Sequence, residues 1–548
     1  MPHVITQNCC NDASCVAVCP VDCIHPRPDE PGFASAEMLY INPDVCVDCG
    51  ACVLMCPVDA ITTSDELVMA AGPFTAINAA FAATDTASSP PRRAQRALIC
   101  PPAISGPLRV AVIGAGPAGL YAAEHLLTQV GLNAEVTVFD RLPTPWGLVR
   151  AGVAPDHQST KNITDIFRGT AMRPGFSYRL GVEVGRDVTH AELLTHYHAV
   201  VYAVGAHTDQ RLGIPGEELP GSHSAREFVA WYNGHPDHAN ISFDFSGPRA
   251  VVVGNGNVAL DVARILLSDP DDLARTDIAD YALKALRNSN IREVVILGRR
   301  GLGQAAFTVP ELIGLTGLTG VTITAEGIES DTGPELPVAT RLKRELLTDC
   351  ADQTAHPRRV VLRFLSSPVE ILGDQCARGV RTVRNTLAAT SGGDVLARPT
   401  NEYDEIDAGL VLRSVGYRGT PIPGLPFDDT SGTVPNEKGR VLDANGELRP
   451  GTYVTGWIKR GPSGVIGTNR QCAAETIDQL LDDAREGRLP EPTCTGSELD
   501  QLLVDRVSTV VEAIGWNNID QHERRLGSAQ SRPRVKITDR AALLRATQ

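Results

Sequence analysis

Apolar and polar positions along this chain change their pattern near residue 108. Before it lies a short cysteine-rich unit. After it, strands and helices alternate. RVAVIGAGPAGLYAAEHLL reads as a β-branched strand, a glycine turn and an Ala/Leu helix. EVTVFD is a second strand, and YHAVVYAVG at residues 197–205 is another that ends in Gly. RAVVVGNGNVALDVARILL at residues 249–267 repeats the strand–turn–helix unit, and EVVILGRRG supplies its next strand. That repetition predicts two separate dinucleotide folds of the α/β class.

Other stretches are less regular. Residues 67–107 are rich in Ala, Ser, Thr and Pro and read as a linker with a short helix around Ile77–Phe81. If flexible, such a tether spans about 30–40 Å on average. Beyond about residue 485 the chain looks like a charged, partly helical tail with no evident purpose.

Composition narrows the picture. At roughly 150 residues per domain, 548 residues predict three or four domains. Hydrophobic residues at 43% and charged residues at 21% are ordinary for a soluble globular protein. A net charge of −15 argues against nucleic acid as a partner. No apolar run is long enough to span a membrane. The N-terminus MPHVITQNCC lacks the basic and apolar regions of a secretory signal, so a cytoplasmic location is expected.

Nine of the 14 cysteines fall between Cys9 and Cys56. In a cytosolic chain such clustering points to metal ligation rather than disulfides. Up to Asp65 there are nine acidic residues and one base, Arg27, a local charge of −8. A unit this short needs a staple, and metal is the obvious one.

Cys46-x2-Cys49-x2-Cys52-x3-Cys56-Pro57 is the bacterial ferredoxin run. Thiolates are soft, anionic ligands that suit iron. Zinc is the bland alternative, but zinc sites usually show two separated cysteine pairs. In the same frame the first half reads Cys9-x2-Asp12-x2-Cys15-x3-Cys19-Pro20, with Asp12 in place of the second cysteine. In two-cluster ferredoxins the fourth cysteine of each run ligates the other cluster. Cys19, Cys46, Cys49 and Cys52 are therefore assigned to a 4Fe–4S cluster, and Cys9, Cys15 and Cys56 to a second cluster one thiolate short. That second cluster is either 3Fe–4S or a 4Fe–4S cluster completed by Asp12. Similarity to seven-iron ferredoxins, which share the PVDC stretch of residues 20–23, favours 3Fe–4S. Cys10 and Cys23 are read as buried thiols outside the ligand set.

Gly114-Ala115-Gly116-Pro117-Ala118-Gly119 follows a strand and opens a helix. The glycines permit a tight turn, close approach of a pyrophosphate, and close helix–strand packing. The pyrophosphate sits on the helix N-terminus. Asp140 ends the next strand, where a carboxylate binds ribose hydroxyls. The second turn is Gly254-Asn255-Gly256-Asn257-Val258-Ala259, and its next strand ends in Arg299-Arg300. Two arginines there suit a ribose 2′-phosphate and favour NADP over NAD.

A chain with both nucleotide sites and clusters has a natural order, NADPH to FAD to iron–sulfur cluster. The stretch from Leu108 to about Leu481 resembles the adrenodoxin-reductase-like ferredoxin–NADP reductases of the glutathione-reductase structural type. The residues that carry the resemblance are GAGPAG, Pro143-Thr-Pro-Trp-Gly-Leu-Val-Arg150, Gly152-Val-Ala-Pro-Asp-His157, Gly254-Asn-Gly-Asn-Val-Ala-Leu-Asp261, Gln304-Ala-Ala-Phe307, Arg413-Ser-Val-Gly-Tyr417 and Gly456-Trp-Ile-Lys-Arg-Gly-Pro462. With the cysteine unit in front, the chain resembles the ferredoxin-fused bacterial subgroup. The resemblance implies that Leu148, Val184, Trp457, Gly464, Val465 and Ile466 meet the flavin. It implies that Asn255, Gly256, Asn257 and Val258 line the NADP turn, and that Glu311 faces Arg299 and Arg300. His157 is the candidate residue at the hydride-transfer site, although the glutamate it pairs with in some relatives is Gly314 here.

The expected division is a two-cluster α+β ferredoxin domain at 1–66, a linker at 67–107, the first part of an FAD domain at 108–207, and an NADP domain at 208–408. The second FAD part follows at 409–485 and a tail at 486–548. The function this implies is NADPH–ferredoxin oxidoreduction, with a downstream electron-acceptor protein. The alternative is an electron-input subunit of a larger enzyme, with the tail as docking device. A flavin disulfide reductase is disfavoured, because the second unit has no C-x-x-C or similar pair. A non-enzymatic cluster-based sensor is a further reading. Docking of the acidic ferredoxin is expected to be electrostatic, so high salt is expected to slow internal transfer.

Overall fold

A computed structural model describes residues 2–30, 32–63, 72–83, 106–328, 336–351, 356–390 and 394–548. The cysteine unit is a pseudo-repeat. Its halves lie 37 residues apart, and the backbone repeats with the sequence. Left-handed residues recur as Asn11 and Asp48 (φ 56° each), Ala13 and Gly50 (61° and 69°), and Asp22 and Asp59 (53° and 51°). Ala13 and Gly50 start the two short helices Ser14–Val18 and Ala51–Met55. Two small antiparallel pairs hold the unit, His3–Ile5 with Ile61–Thr63 and Ile24–His25 with Tyr40–Ile41.

A helix at Pro73–Ala82 joins these pairs and buries Phe74 and Ile77. Buried Asn78 donates to Ile5 O at 2.8 Å and accepts from Ile41 N at 2.9 Å, so one amide satisfies backbone groups of both sheets. Tyr40 and Phe81 stack at 4.4 Å. The expected linker therefore contributes a full helix to the cysteine unit. The rest of that expectation, residues 67–71 and 84–105, lies outside the described residues.

The first α/β layer is a seven-stranded sheet. Its order is Asn436–Glu437, Arg440–Leu442, Leu448–Val454, Ala199–Tyr202, Leu108–Ile113, Ala134–Asp140 and Phe176–Leu180. The last five strands are parallel, and the central two, Leu108–Ile113 and Ala199–Tyr202, are almost wholly apolar and buried, as a sheet covered on both faces requires. Helices Pro117–Leu127 and Thr468–Arg485 pack on one another beside it.

The second layer is an all-parallel six-stranded sheet in the order Ser222–Ser224, Leu410–Arg413, Arg249–Val253, Glu293–Leu297, Arg358–Arg363 and Val321–Glu326. An antiparallel three-stranded sheet follows, Ser366–Leu372, Gly379–Ala389 and Val395–Asp407. The boundary expected at 408/409 needs correction. Leu410–Arg413 pairs with both Ser222–Ser224 and Arg249–Val253, so this strand completes the second sheet before the chain returns to the first.

The region beyond 485 is folded onto the first layer. Helices Gly496–Arg506, Ala513–Ser528 and Arg540–Arg545 bury Leu499, Leu503, Trp516, Ile519 and Leu543. Trp516 meets Trp146 edge to face at 4.8 Å. No helix among the described residues is long and apolar enough to cross a membrane.

Candidate nucleotide sites and cysteine centre

The two glycine turns share one geometry. Gly114 and Gly254 adopt φ of 110° and 111°, where only glycine is comfortable. A Cβ on Gly114 would lie 2.5 Å from Ala203 O, and one on Gly254 would lie 2.1 Å from Ser414 O. Each first glycine therefore lets its turn lie against the end of a neighbouring strand. Gly116 and Gly256 instead open their helices with nothing closer than 3.9 Å to an added Cβ, which leaves a cradle over each helix N-terminus. Pro117 is the first residue of the first helix, Ala118 is buried beneath the turn, and Gly119 packs on Gly114 O. The free N–H groups at such an end suit a phosphate.

Asp140 closes the first turn from the adjacent strand. Its oxygens accept from Ala115 N and Leu142 N, both at 2.9 Å, so it shapes the turn. Burial pushes its carboxyl up, and the two backbone N–H groups hold it back. The residues expected at the flavin lie on four stretches of the chain. Gly147 packs on Gly116 and presents Leu148, which is partly exposed. Val184 bridges to Val188. Trp457 donates to Ser463 O at 3.1 Å and lies beside Tyr417. Gly464, Val465 and Ile466 are tied to the start of the helix Thr468–Arg485, where Val465 N donates to Thr468 Oγ1 and Asn469 Nδ2 to Val465 O and Ile466 O.

At the second cradle Asn255 O accepts from Phe307 N at 2.9 Å, and Asn257 Oδ1 accepts from Thr308 N at 2.8 Å. Val258 packs on the core of that layer. Arg299 is exposed and Arg300 half-buried at the strand end, and among the described residues neither makes an ion pair. Glu311 does not face them, contrary to the expectation. It pairs with Arg264 at 3.4 Å, and its carboxylate lies with His157 and Asp261 inside 4.8 Å. Arg264 also holds Asp156 at 2.5 Å and Asp261 at 2.6 Å. Burial, then Asp261, pushes the Glu311 carboxyl up to about 8 against the pull of Arg264. Burial, then Arg264, lowers the His157 imidazole and keeps it neutral.

The cysteines form two electrostatic groups. Cys9, Cys10, Cys15, Cys56 and Asp12 lie close enough to act on one another, Cys23 and Cys52 feel Cys19 and Cys46, and Cys15 also feels Cys52 across the two. Burial, and then neighbouring thiols, push Cys9 up to about 12 and Cys52 to about 11. No three cysteine sulfurs among the described residues lie within 4.8 Å of one another. The set does not close on a single tetrahedral ion, whose ligands stand about 4 Å apart. Cys10 is buried against the first layer, and Cys23 Sγ rests 3.4 Å from Cys19 Sγ.

Residues 108–295 match the family model described as pyridine nucleotide-disulphide oxidoreductase, and residues 39–62 match that of a 4Fe-4S binding domain. Over its whole length the chain is 50% identical to proteins of Mycobacterium bovis and Mycobacterium tuberculosis named probable ferredoxin/ferredoxin–NADP reductase, and it covers 95% of each. The chain belongs to the ferredoxin/ferredoxin–NADP reductase family. Its reductase part is 48% identical to FprA of M. tuberculosis, with a TM-score of 0.76 to the structure of FprA in complex with NADPH; that match covers 81% of this chain and all of FprA.

In this ferredoxin–NADP reductase the ferredoxin unit is seated directly on the reductase. Gly467 N donates to Cys10 O at 2.7 Å, and a Cβ on Gly467 would overlap the Asn11 carbonyl carbon at 2.1 Å. Arg470 reaches Asp12 Oδ2 at 3.3 Å and Ser14 Oγ at 2.9 Å, and Ser14 Oγ also donates to Asp12. Gln471 donates to Pro28 O at 2.6 Å. Sequence reasoning missed Arg470, Gln7, Glu37 and the C-terminal residues around Glu523. The departure at Gly314 was the one local signal, and it marks where Gln7 fits.

Proposed function

We propose that this chain takes hydride from NADPH onto FAD and passes single electrons through its own two clusters to an external acceptor protein. The carrying observation is the hydrogen bond from Gly467 to Cys10. It joins the segment at residues 464–466, beside the first cradle, to the loop that starts the three-cysteine centre. When bound, FAD supplies a centre that takes one hydride and gives its two electrons up singly.

The chain's residues supply position and electrostatics. The turn at Gly114, Gly116, Pro117, Ala118 and Gly119 offers N–H groups to the FAD pyrophosphate, and Asp140 takes a ribose hydroxyl. Leu148, Val184, Trp457, Gly464, Val465 and Ile466 wall the isoalloxazine and exclude water. Asn255, Gly256, Asn257 and Val258 hold the NADP pyrophosphate. Arg299 and Arg300, without carboxylate partners among the described residues, take the 2′-phosphate. His157 lies between the two cradles as a neutral hydrogen-bonding group.

Cys9, Cys15 and Cys56 are proposed to hold a 3Fe–4S cluster nearest the reductase, and Cys19, Cys46, Cys49 and Cys52 a 4Fe–4S cluster. The hold of Ser14 and Arg470 on Asp12 supports the 3Fe–4S form, because a guanidinium competes with iron for the carboxylate. Cys49 is exposed, and its surroundings expose Val47, Leu54 and Met55, with Leu54 at 88%. Electrons leave there. The buried residues of the C-terminal helices are committed to the chain's own reductase, which favours a self-contained enzyme over an input subunit that docks through its tail.

The test is steady-state turnover of the purified protein with an artificial one-electron acceptor. Turnover with NADPH and far weaker turnover with NADH supports the reading. Equal turnover with both nucleotides, or none with either, overturns it.

A further inference from the structure

Helix Val309–Thr316 belongs to both halves of the molecule. Val309 and Ile313 pack in the ferredoxin core with Val4, Ile5, Phe74 and Ile77, while Leu312 and Leu315 pack in the core of the second α/β layer. Glu37 of the ferredoxin unit accepts from Val309 N at 2.7 Å and pairs with Lys343 at 3.4 Å, so an acidic side chain from one unit sits at the N-terminus of a helix of the other. The same helix carries Glu311 and, one turn on, Gly314, which share a face.

Gly314 leaves a space, and Gln7 fills it. A Cβ at Gly314 would stand 2.3 Å from Gln7 Nε2 and 3.1 Å from its Cδ. The same amide nitrogen lies 3.4 Å from His157 Nε2. An amide nitrogen only donates, so the ring nitrogen accepts and the imidazole proton rests on Nδ1. His157 is tied to the first cradle through the turn at Leu148, whose carbonyl accepts from Gly152 N at 2.7 Å and Val153 N at 2.8 Å. It is tied to the second cradle through Asp261, on the helix that opens at Gly256. The His157, Asp261 and Glu311 cluster is no cation site, because the Arg264 guanidinium already occupies its centre of charge.

We propose that Gln7 of the ferredoxin unit is a positioning residue of the reductase's hydride-transfer site, filling the space over Gly314 and fixing the His157 ring between the two nucleotide cradles. The fused ferredoxin is then part of the site that reduces the flavin, as well as the acceptor of its electrons. Gln7 stands two residues before Cys9, and Cys9 N donates to Thr6 O at 3.2 Å, so one turn places a residue at the hydride site and a ligand of the nearer cluster. This inference rests on the function proposed above.

The test uses the full-length protein with FAD and clusters in place. Flavin reduction is followed under anaerobic stopped flow with NADPH and with NADPH deuterated at the transferred position. Rapid flavin bleaching in the parent protein tests the underlying function, and its absence there counts against that reading alone. Gln7→Ala is then compared with Gly314→Ala, which expels the amide from the reductase side and leaves the ferredoxin sequence intact. The limiting rate is expected to fall about tenfold in both, since small misplacements at a reacting centre cost one to two orders of magnitude. The half-saturating NADPH concentration is expected to stay within twofold and the isotope effect to rise. If Gln7→Ala loses its clusters, Gly314→Ala alone decides. Flavin reduction unchanged within twofold, or a fall confined to the later cluster step, overturns the proposal.

Discussion

Arg150 donates to Glu523 through both terminal nitrogens, at 2.8 and 2.5 Å, and the Glu523 side chain is wholly buried. Arg150 ends the segment that presents Leu148, while Glu523 lies on a C-terminal helix, so the last part of the chain fixes the wall of the first cradle. Arg534 joins the same carboxylate at 3.0 Å, and Ile537 N donates to it at 2.8 Å. Breaking such a buried pair costs about 3–5 kcal/mol. Glu523→Ala is expected to lower the melting temperature and the FAD retained per chain, with Glu523→Gln between it and the parent. Unchanged melting and full flavin content in Glu523→Ala would count against this structural role.

The same pair sets an acid limit. Burial pushes the Glu523 carboxyl up, but Arg150 and Arg534 outweigh it and hold it below its ordinary 4.5. A depressed carboxylate adds stability that is present above the unfolded value and is lost as pH falls through the folded one. The stability advantage of the parent over Glu523→Gln is therefore expected to be full above pH 4.5 and to shrink below it. Denaturant midpoints across that range decide the matter, and an advantage that grows on acidification would contradict it.

Asp12 stands where the second half-motif has Cys49. Asp12→Cys is expected to convert the three-cysteine centre to 4Fe–4S, with loss of the oxidised 3Fe-type EPR signal and gain of iron per chain. Arg470→Ala, which frees the carboxylate, is expected to weaken the signal partially. An unaltered spectrum in Asp12→Cys would place Asp12 away from the cluster.

Two arginines should carry nucleotide choice. Replacing Arg299 and Arg300 together by Ala removes two charge-assisted contacts to the 2′-phosphate, each worth roughly 1.5–3 kcal/mol. The KM for NADPH is expected to rise by at least tenfold while that for NADH changes little. A parallel rise for both nucleotides would mean the pair serves the fold and not the phosphate.

The seat of the ferredoxin changes the salt prediction. From the sequence, an acidic domain on a long tether suggests docking by charge. The contact described here combines apolar packing of Val309 and Ile313, backbone contact at Gly467, and ion pairs at Arg470 and Lys343. Contacts this short are little screened, since the Debye length at 0.1 M is about 10 Å. Internal cluster reduction is expected to vary less than twofold between low and high ionic strength. A steep fall with salt, seen in rapid mixing, would restore the tethered picture.

What was legible in the sequence was local. The glycine turns and cysteine runs announce themselves because their chemistry needs fixed spacing within a dozen residues. The helix Pro73–Ala82 is foreshadowed by the short helix expected around Ile77–Phe81, but its length and its place in the cysteine unit are not, because its decisive residue, Asn78, acts by reaching strands at Ile5 and Ile41. Leu410–Arg413 falls at the expected domain boundary, and nothing local says which of two sheets it completes. Gln7 with His157, Asp12 with Arg470, and Arg150 with Glu523 join residues 150 to 458 positions apart, so only the folded chain reveals them.

The most direct test of the central claim is an anaerobic titration of the full-length protein with NADPH, followed by low-temperature EPR. The account predicts a 3Fe-type signal in the oxidised protein that disappears as NADPH is added, with the flavin reduced first. Flavin that bleaches while the clusters stay oxidised would contradict internal electron transfer.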